Sequence, residues 1–320
     1  ISSNEATLKY FLLGSFLSTF LLFGIALIYG ATRSFDIGTI SVWVTANATH
    51  LPPLFLAGLF LMIIGLAFKI AVVPFHFWAP DVYEGTPTLV TAFMATVVKI
   101  AGIVALYRLF SFGFGAISGV WEQTIWMFAV LTIVVGNFTA LYQKGLKRML
   151  AYSSISHSGY MMLAVVAFSS KSGGALLLYS AAYSVATITA FGVLTMIRGA
   201  KGDDHFSSFE GMGRKNPVEA VALAVAMLSL AGIPPLAGFI SKYYLFSTAM
   251  EKGYLWLLIV ALLGSAISVA YYFRPIIGMF MKEGDGIKIE TRASFKWHVL
   301  VLSGITLLLG LFPFLLITLL

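Results

Sequence analysis

The sequence contains no cysteine, so this chain alone can build neither a disulfide nor a cysteine-ligated iron–sulfur cluster. Charge is scarce as well: 10% of the 320 residues are charged, where a soluble domain carries about 25%. Acid is scarcer than base, with 13 Asp and Glu against 20 Lys and Arg. The five histidines are scattered, without HExxH or any other metal-ligand spacing, and there is no GxGxxG or Walker loop. Metal-assisted hydrolysis and nucleotide chemistry therefore find no motif in the sequence.

What fills the chain instead is apolar sequence, 59% of all residues. A bilayer core about 30 Å thick is crossed by roughly 20 apolar residues of helix. Nine runs qualify, at about 8–29, 54–79, 87–110, 122–143, 148–168, 174–197, 217–249, 254–280 and 297–319. They are apolar on every side rather than alternating, which excludes a β-barrel and predicts an all-α polytopic membrane protein. The chain opens on Ile1 in the polar stub "ISSNEATLKY", without the order of regions that marks a signal peptide. The expectation is that an N-terminal part precedes it.

Nine crossings place the connecting segments alternately on two sides. Lys9, Lys144, Lys147, Arg148, Arg198, Lys201, Arg214, Lys215, Arg274, Lys282, Lys288, Arg292 and Lys296 fall on the side of the N-terminus. Arg33, Arg108, Lys171 and Lys252 fall on the other. The positive-inside rule makes the first side cytoplasmic and puts the C-terminus outside. Topology thus accounts for the formal charge of +7, and the expected partner is the lipid bilayer, not nucleic acid.

Three basic residues remain, and all lie within spans: Lys69, Lys99 and Lys242. A lysine at a helix centre costs about 2.5–3.5 kcal/mol on insertion scales, which makes it a functional candidate by default. Lysine deprived of water carries its charge at a cost, so such a residue can take up and release a proton near neutral pH. The competing readings are a polar contact between helices and, for Lys242 nearer its span's outer end, snorkelling to the interface.

Two of these lysines sit beside helix-breaking sequence. Pro74 follows Lys69 in "GLAFKIAVVPFHFWAP", and Gly232, Pro234, Pro235 and Gly238 precede Lys242 in "SLAGIPPLAGFISKYYLF". Irregular backbone at membrane depth survives only where protein or water covers it. Paired interrupted spans point to a transport path at the junction of internal repeats; a plain proline kink is the alternative. The second break is predicted at about 232–238, with Lys242 facing a hydrated cavity.

No carboxylate is expected inside the spans. Asp81 and Glu84 belong to the loop "APDVYEGTPT", with Thr86 as N-cap and Pro87 as first helical residue of the next span, and Glu219 suits a capping arrangement with Asn216. A counter-charge for a switching lysine would then come from preceding helices or from a partner subunit. His157, mid-span among Ser153, Ser154, Ser156, Ser158 and Tyr160, could bridge two proton carriers or be a satisfied structural histidine. His76, just past the first break, is a weaker candidate of the same kind.

Three stretches in order, "FKIAVVPFHFWAPDVYEGTPTLVTAFMATVVKIAG", "KRMLAYSSISHSGYMM" and "SLAGIPPLAGFISKYYLF", resemble the N-type antiporter-like subunit of bacterial complex I, the proton-pumping NADH:quinone oxidoreductase. The resemblance covers essentially the whole chain. It implies a fourteen-helix fold of two inverted five-helix repeats, of which this chain matches helices six to fourteen. The corresponding division is 1–112 for the rest of the first repeat, 122–281 for the second and 295–320 for the C-terminal helix, all within one transmembrane domain.

In that family Lys69 falls on the pump lysine of the first broken helix, Lys99 on the lysine linking two half-channels, and Lys242 on the lysine of the second broken helix. The glutamate that partners Lys69 lies just upstream of Ile1. The resemblance further implies a translocase subunit in the bacterial inner membrane with no cofactor of its own. FMN, iron–sulfur clusters and quinone would reside on partners, and M-type and small K- and J-type subunits would be its membrane neighbours. The rival assignments are a subunit of a multisubunit sodium/proton antiporter or related membrane-bound hydrogenase, and a passive membrane scaffold. A sodium site would want carboxylates near a break, and a scaffold leaves three central lysines without a reason.

Overall fold

The computed structural model describes residues 2–284, 289 and 293–317, and its ordered elements are helices. Lys288, Arg292 and the last residues of the expected ninth span lie outside the described residues. The helices are α1 (Ser2–Thr32), α2 (Ile37–Ala46), α3 (Pro53–Lys69), α4 (Trp78–Gly85), α5 (Thr88–Gly113) and α6 (Ser118–Leu141). They continue with α7 (Leu146–Ala167), α8 (Ser172–Lys201), α9 (Pro217–Ala231), α10 (Ala237–Glu251), α11 (Leu255–Met281) and α12 (Ala293–Leu311). Six are long and apolar enough to cross a membrane unaided: α1, α5, α6, α8, α11 and α12. The pairs α3/α4 and α9/α10 each make one interrupted crossing, and α7 makes the ninth.

The short α2 occupies a segment outside every expected span. Asp36 caps it, its carboxylate accepting from the Thr39 amide at 2.7 Å and the Thr39 hydroxyl at 2.9 Å.

α7 is the most polar of the crossings, and every residue from Ser153 to Ala167 is buried. Its serines and His157 never meet lipid, which is why a helix of this composition can sit at membrane depth. Glycine lets α6 come close to it: a Cβ on Gly136 would stand 2.6 Å from the Ser156 nitrogen, and one on Gly159 3.0 Å from that of Ile133.

The loops sort onto two sides as the basic residues do. On one side Lys9 pairs with Asp81 at 2.8 Å, Arg148 with Asp81 at 3.1 Å and with Glu84, and Lys282 with Glu210 at 2.9 Å. On the other, Lys171 pairs with Glu251 at 2.6 Å.

Two expectations need correction. Carboxylates do enter the helices: Asp81 and Glu84, expected in a loop, belong to α4, and Glu122 in α6, the 1% exposed Glu219 in α9, Glu5 in α1 and Glu251 in α10 stand at helix ends. Each end supplies a partner, the Tyr254 hydroxyl for Glu122 and Lys296 at 3.9 Å for Glu219, so burial there is compensated. The capping assignments also shift. Asn216 stands at the N-cap of α9 as expected, but its side chain makes no cap bond to the helix and accepts from the Ile289 amide at 2.9 Å. Thr86 closes α4 and Pro87 is the residue before α5, one position later than expected.

Candidate functional site

The first break follows from Pro74. Proline has no amide hydrogen and its ring collides with the carbonyl four residues back, here Ile70, so α3 stops at Lys69. The chain then turns through Ala71 at φ 56° and a cis Val73–Pro74 bond before α4 begins. The loose backbone groups find protein partners: the Val73 amide donates to Thr132 Oγ1 at 3.0 Å and the Ile70 carbonyl accepts from Ser158 at 2.7 Å.

The second break, at 232–236, uses the same turn. Gly232 takes φ 85° and the Pro234–Pro235 bond is cis, so in both breaks a positive φ stands three residues before the cis proline. Gly238, at the start of α10, lies so close to α9 that an added Cβ would be 1.6 Å from the Ser229 carbonyl oxygen.

The three lysines lie at or near these features in three environments. Lys69 ends α3, is partly exposed, and its amine makes no hydrogen bond or ion pair among the described residues. Lys99 is 1% exposed; it follows a π turn in α5, Met94–Val98, and its amine donates to the Ser154 carbonyl at 2.6 Å and to the Ser154 hydroxyl. Lys242, 5% exposed, donates at 3.0 Å each to the Leu230 and Ala231 carbonyls, which end α9, and to the Ser265 hydroxyl. Its amine also lies 5.3 Å from the centre of the Tyr160 ring. Among the described residues none of the three forms an ion pair with a carboxylate.

α7 runs between them. Ser154, which receives Lys99, also has its carbonyl within 3.2 Å of the Ser158 hydroxyl, and Ser158 reaches Ile70 beside Lys69. His157, 3% exposed, bonds Tyr179 at 2.7 Å through Nδ1 and Tyr272 at 3.1 Å through Nε2, and Tyr272 bonds Ser153. Between His157 and Lys242 lies a cavity, lined also by Tyr179, Tyr183 and Ser241, with about 10 Å³ for the centre of a water-sized sphere. That is room for about one water molecule. The hydroxyls of Tyr83 and Tyr183 are buried without a hydrogen-bond partner among the described residues. His76 stays apart, buried in the first break against the Phe77 ring with its Nδ1 unpartnered.

Sequence reasoning passed over Tyr179, Tyr183, Tyr272 and Ser265. A signal was available for the first two: they stand four residues apart, hence on one face of α8.

Residues 1–268 match the family described as NADH:quinone oxidoreductase/Mrp antiporter, TM. The chain belongs to that family. Relatives called NADH-quinone oxidoreductase subunit N include that of Trichlorobacter lovleyi, 47% identical over 287 residues, covering 89% of this chain and 59% of the relative. That of Cytophaga hutchinsonii is 42% identical over 316 residues, covering 98% of this chain and 68% of the relative. The chain thus spans about three fifths of the first relative's length and two thirds of the second's. Among solved structures it is similar to a chain of respiratory complex I from Thermus thermophilus, 40% identical with a TM-score of 0.84, over 98% of this chain and 68% of that one. A chain of the Mrp complex from Dietzia sp. shares the fold, with a TM-score of 0.87 at 24% identity, over 99% of this chain and 67% of that one.

Proposed function

We propose that this chain is a proton-translocating membrane subunit of a respiratory NADH:quinone oxidoreductase, moving protons through buried lysines while quinone is reduced elsewhere in the assembly. The observation that carries the reading is the polar line along α7, from Lys99 through Ser154 and His157 to Lys242, enclosed by apolar helices; Lys69 stands beside it, next to Ile70, whose carbonyl Ser158 of α7 holds. Lys69, Lys99 and Lys242 are the proton carriers, His157 a bridging group, and His76 a lesser candidate because nothing joins it to α7. A charge that must come and go is served by neutral acceptors, which stabilise an ammonium without holding it as a carboxylate would.

The counter-charge of Lys69 belongs to a group outside the described residues. The repeated turn at the two breaks, in crossings that run in opposite directions, supports a division into inverted repeats at 1–112 and 122–281, followed by a C-terminal helix at 295–320. The setting is the bacterial inner membrane, with the C-terminus on the periplasmic side. FMN, iron–sulfur clusters and quinone sit on partner subunits. The membrane neighbours are M-type antiporter-like and small K- and J-type subunits.

Purification of the tagged full-length protein from its own membranes tests this. It should bring down peripheral subunits with iron–sulfur electron paramagnetic resonance signals. A membrane assembly that exchanges sodium for protons and carries no redox centre would replace the reading with the antiporter one.

A further inference from the structure

A second cavity reaches Lys242 from the outer surface of the helices. A pocket of about 310 Å³ opens between α10 and α11, walled by Tyr243, Phe246, Leu258 and Leu262, with Lys242 and Ser265 also in its lining. Its mouth faces outward, Tyr243 being 62% and Leu262 51% exposed. The volume and the apolar lining with a few convergent polar groups suit a small amphiphile. No Asp or Glu lines it, and the amine's acceptors are all neutral.

We infer that this pocket binds a single-chain carboxylic acid amphiphile, a free fatty acid of the bilayer, with its carboxyl group at Lys242 and Ser265. Depth selects this ligand over a phospholipid. Lys242 stands nine residues before the end of α10 at Glu251, about 14 Å of helix, beyond the reach of a headgroup held at the interface. A protonated fatty acid is neutral and dissolves in hydrocarbon. As an ammonium Lys242 donates to all three acceptors; as a neutral amine it keeps two hydrogens, for the Leu230 and Ala231 carbonyls, and its lone pair accepts from the Ser265 hydroxyl. On arrival the acid's O–H bond breaks and its proton passes to that lone pair, forming an N–H bond and leaving a carboxylate–ammonium pair, and the displaced Ser265 hydroxyl donates to the carboxylate. The inference rests on the pocket and does not depend on the proposed pumping role.

Photolabelling of native membranes containing the full-length protein tests it, with palmitic acid carrying a diazirine on its chain and the methyl ester of the same probe as control. The acid should label α10 and α11 roughly tenfold more than the ester, the ratio that about 1.4 kcal/mol gives. Unlabelled palmitate, but not its methyl ester, should displace it. Leu262→Trp, which fills the mouth away from the amine, should abolish labelling by both probes, and Lys242→Met should lower the acid to the ester's level. Equal labelling by acid and ester, displacement by both competitors, or labelling confined to other helices would overturn the inference.

Discussion

The two interrupted crossings share a turn and differ in almost everything hung on it. Three residues past the cis proline, the first break carries Phe77, 72% exposed, and the second carries Gly238, pressed against the end of α9. Seven residues past, the first has Asp81, tied to Lys9 and Arg148 at the surface, and the second has the buried Lys242. The lysine of the first break instead precedes it and has no partner among the described residues. The lesson is that the repeated element is the backbone turn, which creates free carbonyls at membrane depth. Where the cation stands relative to them is set separately. At the second break Lys242 occupies those carbonyls itself; at the first, Ser158 of α7 takes the Ile70 carbonyl and Lys69 stays available.

The difference can be broken most violently at Gly238. A methyl group there would collide with backbone that cannot move aside, so Gly238→Ala should cost at least about 3 kcal/mol, the upper end for overpacking. The expected result is loss of assembled protein in membranes. Phe77→Ala, at the matching place in the first break, should leave the yield close to normal. Similar yields for the two variants would show that the breaks are packed alike.

A second contrast concerns the line that joins the two halves. Among the described residues Lys99 has only Ser154 to receive it, whereas His157 has neighbouring hydroxyls that can share its task. Lys99→Ala should reduce proton translocation about tenfold, an added barrier of about 1.4 kcal/mol, and His157→Ala should reduce it less, at equal assembly. The reverse order would move the link from Lys99 to the histidine.

The smallest effects belong to the turn residues. Gly232→Ala places a side chain at positive φ and 3.0 Å from the Lys242 side chain, at an expected cost of about 1–2 kcal/mol in thermal unfolding. Ala71→Gly relieves the same strain but frees the unfolded chain, so the net change should be within about 0.5 kcal/mol. Equal and opposite shifts at the two sites would mean the turns are energetically interchangeable after all.

Much of this was legible in the sequence because bilayer burial leaves strong marks. The nine crossings follow from run length, the breaks from Pro74 and from Gly232 to Pro235, and the three lysines from the contrast between a charge and its apolar run. The second break was expected at 232–238 and occupies 232–236. What could not be read is which groups face each other. Lys99 meets Ser154 from a helix 55 residues away, and His157 meets Tyr272 across 115. Such contacts depend on how helices pack, which residue spacing along one helix does not encode. The end-of-helix carboxylates were legible: Glu122 and Glu219 fall inside the runs 122–143 and 217–249, and what the sequence does not show is that Tyr254 and Lys296 come from other segments to meet them.

Lys69, proposed as a proton carrier, must be able to switch its charge. The most direct measurement is proton uptake driven by NADH oxidation in inverted membrane vesicles containing fully assembled Lys69→Ala protein, alongside Lys69→Arg. The account predicts that uptake falls by about tenfold or more in both variants, because alanine carries no proton and arginine does not release one. Uptake at the unmodified rate in assembled Lys69→Ala vesicles would contradict it.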